Sequence, residues 1–316
     1  REEAQFRKAD RALPSGTALK LWATPDERTQ AMARFCERLA ALAPRLSITR
    51  EDAPGLEFPL MLLPNGARYQ GVPKGNEVPP FIEALTGKTA PLAKRFLARL
   101  DATTHPPATL DLFVTPQCTF CPRAVRDLMS LAAAGRSIRL TVIDASLFPE
   151  PAERQGVRAV PTLLLDGQFR WTGAIVLEEV IALMATRDPA SMGPASLEML
   201  LAEGAARRLA RMMADRNTVF PALLELLCHE KWPVRLGAMV TVEELNAVAP
   251  DLGRQALDAV WARFDTLSDP VKGDMLFLCG EVGNRSLAPR IRTVLQGGAS
   301  LEVQAAAEEA LAKLPP

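Results

Sequence analysis

Two stretches of this chain repeat one another at a fixed offset. Leu19-Lys20-Leu21-Trp22-Ala23-Thr24-Pro25 and Leu110-Asp111-Leu112-Phe113-Val114-Thr115-Pro116 lie 91 positions apart, and in both the apolar residues alternate with a period of two. That alternation is the signature of a half-buried strand. Further along, Phe58-Pro59-Leu60-Met61-Leu62-Leu63 answers Val160-Pro161-Thr162-Leu163-Leu164-Leu165. Each is followed by an Asx-Gly turn, Asn65-Gly66 or Asp166-Gly167, and then by Arg68-Tyr69-Gln70-Gly71 or Arg170-Trp171-Thr172-Gly173. Asx-Gly between apolar runs is the strongest short hairpin signal. Between these landmarks each copy has a helical stretch, and the second has a strand over Arg139–Asp144. Each copy therefore reads strand, helix, strand, X-Pro strand, tight turn, strand, helix. The crossover makes the first strands parallel, and the tight turn makes the last two antiparallel.

That is the order of a thioredoxin fold. The expected class is α/β: two tandem thioredoxin folds over residues 1–100 and 101–187, sharing one continuous central sheet. The copies themselves run from about Pro14 to Leu100 and from Pro106 to Thr186. The stretch Arg187–Ser196, with Pro189, Gly193 and Pro194, reads as a linker. Beyond it the strand signals stop, and helices are expected near 196–213, 217–229, 233–247, 253–265, 270–282, 287–296 and 301–313. Three of them open alike, at Pro233-Val234-Arg235, Pro270-Val271-Lys272 and Glu302-Val303-Gln304. Such starts resemble HEAT repeats, so residues 195–316 are expected to form an all-α stack of helical pairs, with an irregular bundle as the alternative.

Composition narrows the function classes. The 316 residues carry 37 Lys+Arg against 37 Asp+Glu, without a basic block, whereas a nucleic-acid surface needs clustered positive charge. The longest uninterrupted apolar stretch is Val180–Ala185, far short of the ~20 residues a membrane helix requires. Neither nucleic acid nor membrane is expected as a partner. Of five cysteines, Cys36, Cys228 and Cys279 stand alone; scattered singletons make a poor disulfide framework and fit a reducing compartment. No secretory pattern opens the chain, and the expected location is cytoplasmic.

The remaining pair is Cys118-Thr119-Phe120-Cys121, set between a predicted strand and a helix with the inward stripe Cys121, Val125, Leu128, Met129 and Ala132. The spacing puts the first sulfur at the helix start and the second one turn in. Unpaired N–H groups there favour a thiolate at Cys118, and a resolving thiol at Cys121 can close the disulfide. CxxC alone also suits half a zinc site. Zinc needs two more ligands, and the chain offers only His105, His229 and isolated cysteines. The strand-to-helix setting therefore favours redox chemistry, and no metal is expected. At offset 91 the first copy has Glu27 and Gln30 instead, which cannot form a disulfide.

Two fused thioredoxin folds with only the second bearing a redox pair resemble the N-terminal domain of the alkyl hydroperoxide reductase flavoproteins. They are also similar to the archaeal glutaredoxin-like protein disulfide oxidoreductases. The resemblance rests on Cys118–Pro122, Ile143-Asp144, Val160-Pro161 and Gly71-Val72-Pro73-Lys74-Gly75-Asn76-Glu77, and it covers about residues 1–187. It implies that Pro161 is the cis proline beside the redox pair, exposing the Val160 backbone to an extended substrate strand; an ordinary trans proline is the alternative. Glu77 matches the acid that the inactive half turns toward the active pair, where it would take the Cys121 proton. The alternative is a surface glutamate at a helix start. Asp111 lies on the strand before the motif but shares the face of Phe113. Thr119 and Phe120 depart from the family's dipeptides, which leaves the direction of redox flow open.

The expected function is thiol–disulfide oxidoreduction on a protein disulfide through Cys118, resolved by Cys121, with Val160, Thr119 and Phe120 touching the substrate. A redox-sensing scaffold and a dithiol electron carrier to a peroxiredoxin are the alternatives. No bound flavin or nicotinamide is expected, because no GxGxxG occurs in the chain. Partners would be the protein substrate, a thioredoxin reductase-like donor or a peroxiredoxin, and a protein or second copy held by the helical repeats.

Overall fold

A computed structural model describes residues 2–102, 106–135 and 137–314. The chain divides into two compact units, Arg1–Arg187 and Asp188–Pro316.

The first unit begins with α1 (Glu2–Asp10), β1 (Ala18–Ala23), α2 (Arg28–Leu42), β2 (Ser47–Asp52), β3 (Leu60–Leu62) and β4 (Arg68–Gln70). A 3-10 turn, Gly75–Glu77, leads into α3 (Val78–Leu85) and then α4 (Lys94–Ala102). The second half repeats the scheme with β5 (Ala108–Val114), α5 (Cys121–Ala134), β6 (Ile138–Asp144), α6 (Pro149–Arg154), β7 (Thr162–Leu165), β8 (Phe169–Thr172) and α7 (Leu177–Thr186). Within each half the first two strands are parallel and the later two antiparallel, in the expected order.

These eight strands form one sheet, ordered β2-β1-β3-β4-β6-β5-β7-β8. The joint between the halves is the parallel pair β4–β6, with Arg68 opposite Thr141, Tyr69 opposite Val142 and Gln70 opposite Ile143. Strands near this joint are covered on both faces: Leu110, Leu112, Phe113 and Val114 of β5 and every residue from Leu140 to Asp144 of β6 are buried. A run of Val, Ile and Leu without alternation is what such burial requires. At one edge lies β2, whose sequence Ser-Ile-Thr-Arg-Glu-Asp is polar and mostly exposed; charge there discourages pairing with another chain.

The buried face of α5 is wider than the expected stripe. Ala124 and Leu131 join Cys121, Val125, Leu128 and Met129 on the buried face, while Ala132 is only half-buried.

The second unit is all helical among its described residues: α8 (Pro194–Ala202), α9 (Ala206–Arg216), α10 (Pro221–Leu227), α11 (Trp232–Val248), α12 (Pro250–Trp261), α13 (Asp269–Val282), α14 (Ala288–Gln296) and α15 (Leu301–Lys313). The expected helix over 196–213 is two helices, broken where Gly204 takes φ +79°, a conformation glycine adopts without steric penalty. The expected linker is also partly ordered, with a 3-10 turn at Pro189–Ser191 and α8 starting at Pro194. Alternate helices pack in series, α9 on α11, α11 on α13 and α13 on α15, with α8 on α10 and α10 on α12 beside them. Such rows are the packing of stacked helical pairs. The Pro-Val-Arg start has a physical use here. Arg235, 2% exposed, reaches Asp274 of α13 and the His229 carbonyl, at 2.7 and 2.6 Å. No helix among the described residues is long and apolar enough to cross a membrane.

Candidate active site

The site is built at the end of β5. The chain turns at Thr115-Pro116, where the Cys118 N–H donates to the Thr115 carbonyl (3.1 Å), and α5 begins three residues on at Cys121. Cys118 and Cys121 are joined as a disulfide with a Cα–Cα distance of 5.5 Å. Their surroundings are unequal. Cys118 is half-buried and Cys121 is fully buried. The Cys121 backbone N–H donates to Cys118 Sγ at 3.0 Å, so a thiolate formed there would meet the open N-terminal turn of α5 and its dipole.

Across from the disulfide, the Val160–Pro161 peptide bond is cis, and the Val160 carbonyl oxygen lies 3.8 Å from Cys118 Sγ. Phe58–Pro59, its counterpart in the first half, is not among the cis bonds of the described residues. A groove runs along the second half's face of the site, lined by Thr119, Phe120, Arg123, Val160, Pro161 and Ile175. Phe120 projects into solvent at 75% exposure.

The first half contributes Glu77. Two glycines swing its backbone beneath the redox loop. A Cβ on Gly71 would sit 2.9 Å from Asp144 Cβ, so any other residue would force the chain after β4 or the end of β6 to shift. Gly75 takes φ +56°, and a Cβ there would meet the Pro116 carbonyl at 3.2 Å. The 3-10 turn that follows packs against α5. Glu77 is 1% exposed rather than a surface residue. Its Oε2 accepts a 2.7 Å hydrogen bond from Tyr69 Oη, while Oε1 is buried without a hydrogen-bond partner among the described residues. Burial pushes its pKa up to about 7; the Asp144 charge pushes the same way and the Tyr69 hydrogen bond opposes it.

Asp111 is elsewhere. It pairs in register with Thr141, and its pKa is raised by burial and lowered by Thr141 and Arg68. The other cysteines offer no rival nucleophile: burial holds the Cys36 and Cys279 thiols up at about 12 and raises that of Cys228. Among the described residues no cluster of His, Cys, Asp or Glu could hold a metal ion; His105 lies outside them.

Two residues, one beside Glu77 and one at the equivalent turn of the first half, carry no functional signal in the sequence. Tyr69 is a repeat landmark there, yet nothing in it points to a carboxylate partner eight residues away. Arg28 occupies the turn that corresponds to the CxxC in the first half. It bonds Asp26 (2.7 Å), Glu150 (2.8 Å) and the Leu147 carbonyl (3.1 Å), and its guanidinium lies 4.8 and 4.6 Å from the Phe58 and Phe148 ring centres.

Known proteins resemble this chain in sequence and fold. Residues 109–185 match the model of the thioredoxin domain. The chain is 22% identical over 198 residues to an NADH dehydrogenase of Bacillus subtilis (strain 168), covering 60% of this chain and 38% of that protein. It is 23% identical over 171 residues to an alkyl hydroperoxide reductase of Staphylococcus epidermidis, covering 52% and 33%. This chain thus spans little more than a third of the curated relatives it matches. Among solved structures, the alkyl hydroperoxide reductase AhpF from Enterococcus faecalis superposes with a TM-score of 0.50 at 22% identity, over 58% of this chain and 97% of that one. The half that carries Cys118 and Cys121 is a thioredoxin domain, set in a tandem thioredoxin-fold module.

Proposed function

We propose that this chain reduces or shuffles disulfides in a protein substrate. The observation that carries the reading is the Cys118–Cys121 disulfide, half-exposed at its first sulfur and opposed by the cis Val160–Pro161 bond. In the reductive direction the Cys118 thiolate attacks a substrate disulfide, forming a mixed disulfide and releasing one substrate thiol. Cys121 loses its proton to Glu77, and its sulfur attacks Cys118 Sγ. The Cys118–Cys121 bond forms as the Cys118–substrate bond breaks, and the proton leaves with the second substrate thiol. The substrate gains two electrons and the pair loses two. The buried carboxylate, poised near neutrality, suits proton transfer, and the Val160 backbone suits pairing with an extended peptide, with Thr119 and Phe120 at its side. Insulin reduction driven by dithiothreitol tests the activity. Cys121→Ser should accumulate mixed disulfides on Cys118, and a variant that traps none overturns the assigned roles.

Electron transfer to a peroxiredoxin is a second reading, favoured by the kinship with the alkyl hydroperoxide reductases. A separate flavoprotein or thioredoxin reductase-like donor would then reload the pair, and the free thiols Cys36, Cys228 and Cys279 fit a cytoplasmic setting. The helical unit, read as HEAT-like, serves in this proposal to bind a protein or a second copy. Support comes from Trp232, Leu236 and Val240, exposed at four-residue spacing along α11, a single apolar stripe. A chain ending at Arg187 should keep its redox activity and lose native partners or self-association; an inactive truncated chain refutes that division of labour.

A further inference from the structure

The module holds one buried acid whose two oxygens are treated differently. Tyr69 is buried in β4, its ring 5.3 Å edge-on from Phe81, so packing leaves its hydroxyl little choice of direction. That hydroxyl donates to Glu77 Oε2 at 2.7 Å, while Oε1 stays buried and unpaired among the described residues. Burying a polar atom without a partner costs stability. Such an atom persists where the fold requires it or where the chemistry uses it.

We infer that Tyr69 is a positioning residue for the resolving step: its hydroxyl clamps one oxygen of Glu77 and leaves the other free to receive the Cys121 proton. The inference rests on the reading of Glu77 as proton acceptor. Tyr69 also stabilises the ionised carboxylate, because a hydrogen bond to the charged form favours that form. It thereby offsets part of what burial and Asp144 do to the same carboxyl. Among the described residues, no other charge on the packed elements takes over this task. On α3 and α5, Glu83 and Arg126 are bonded to each other at 2.7 and 2.9 Å. The remaining charges of α5, Arg123 and Asp127, are paired at 3.8 Å. On α1, Glu2 accepts from the Gly75 N–H, and at the end of β6 Asp144 accepts from Ser146 and Leu147.

The test uses the full chain, reduced, in a Cys228→Ser background that removes the half-buried free thiol. Reaction with 5,5′-dithiobis(2-nitrobenzoate) releases one coloured thiolate on attack by Cys118 and a second on resolution by Cys121. The second phase is followed from pH 5 to 9. In the parent it should accelerate through a midpoint set by Glu77. Loss of one hydrogen bond to a charged group is worth about one pH unit. Tyr69→Phe should therefore move that midpoint up by about one unit, slow resolution roughly tenfold at pH 6 and converge with the parent at pH 9, leaving the first phase unchanged. Glu77→Gln should abolish the limb. Tyr69 is the only tyrosine in the chain, so biosynthetic replacement by fluorotyrosine alters it alone. A more acidic phenol donates more strongly and should move the midpoint down.

A limb that survives Glu77→Gln refutes the acceptor role and the positioning role together. A limb that vanishes in Glu77→Gln but keeps the parent midpoint in Tyr69→Phe refutes the positioning role alone. Should Tyr69→Phe fail to fold, an unmoved midpoint in the fluorotyrosine protein has the same force.

Discussion

The two halves of the tandem module share a strand order and part company at one turn. After β5 the chain places a dithiol opposite a cis proline. After β1 it places Arg28, laid against the Phe58 and Phe148 rings, which pack edge-on to each other, and bonded to Asp26 and to Glu150 of the second half. One loop has been kept for chemistry and the other has become a fastening. The half without a redox pair also carries the buried acid, Glu77, to which we assign the Cys121 proton. On that proposal a duplicated fold divides its labour, one copy keeping the reactive atoms and the other keeping what tunes them.

The largest expected effect tests that division. Cys118→Ser should reduce dithiol-dependent insulin reduction to background, because without the nucleophile no mixed disulfide forms. Residual turnover would mean that another thiol serves. Next comes Glu77→Gln, expected to slow resolution by ~10²–10⁴-fold, the range of general-base catalysis. The same variant makes a thermodynamic prediction. The folded pKa of Glu77 is raised to about 7 from 4.5, so the folded state holds the proton more tightly than the unfolded chain. The stability it contributes is present below about pH 4.5 and is lost as pH rises through 7. At roughly 1.4 kcal/mol per unit, wild type should lose about 2–3 kcal/mol relative to Glu77→Gln across that window. Urea titrations at pH 4.5 and 8 measure it, and parallel curves for the two proteins would contradict the burial argument.

Arg28→Ala sharpens the comparison from the other side. It removes a half-buried charge from two rings and two carboxylates and should destabilise the module by roughly 2 kcal/mol, with Cys118 alkylation unchanged. Slower alkylation at equal folding would show that the first turn still communicates with the second. The smallest effect is expected at Gly71. An alanine there overpacks against Asp144 Cβ, at about 1–2 kcal/mol, read as a lower urea midpoint.

Much of the fold is legible in the chain because hairpins announce themselves. Alternation in β1 and β5, the paired X-Pro strands and the Asx-Gly turns are local signals, and all fall where strands form. By contrast β2 has no landmark, since an edge strand needs neither alternation nor apolar content. A single helix over 196–213 overlooks Gly204, whose positive φ ends α8. The dithiol is legible from spacing and setting. Glu77 is open to a bland reading because its burial depends on Gly71, Gly75 and Tyr69 acting together across a turn, which no periodicity records. The fastening by Arg28 is longer in range still: its partners Leu147 and Glu150 lie more than a hundred residues away in the chain.

The parallel β4–β6 joint sets a limit on how the redox half can be used alone. A fragment of residues 106–187 would retain both cysteines, the cis proline and the groove lined by Thr119, Phe120 and Val160. It would also strip the neighbour from β6, a strand buried from Leu140 to Asp144, and leave a flat apolar edge with open N–H and C=O groups. Such edges recruit strands from other molecules. The excised domain should therefore aggregate or pair edge to edge, and any mixed disulfide it formed would resolve without Glu77. Sequestration of that edge is a second service rendered by the half that has no dithiol to offer.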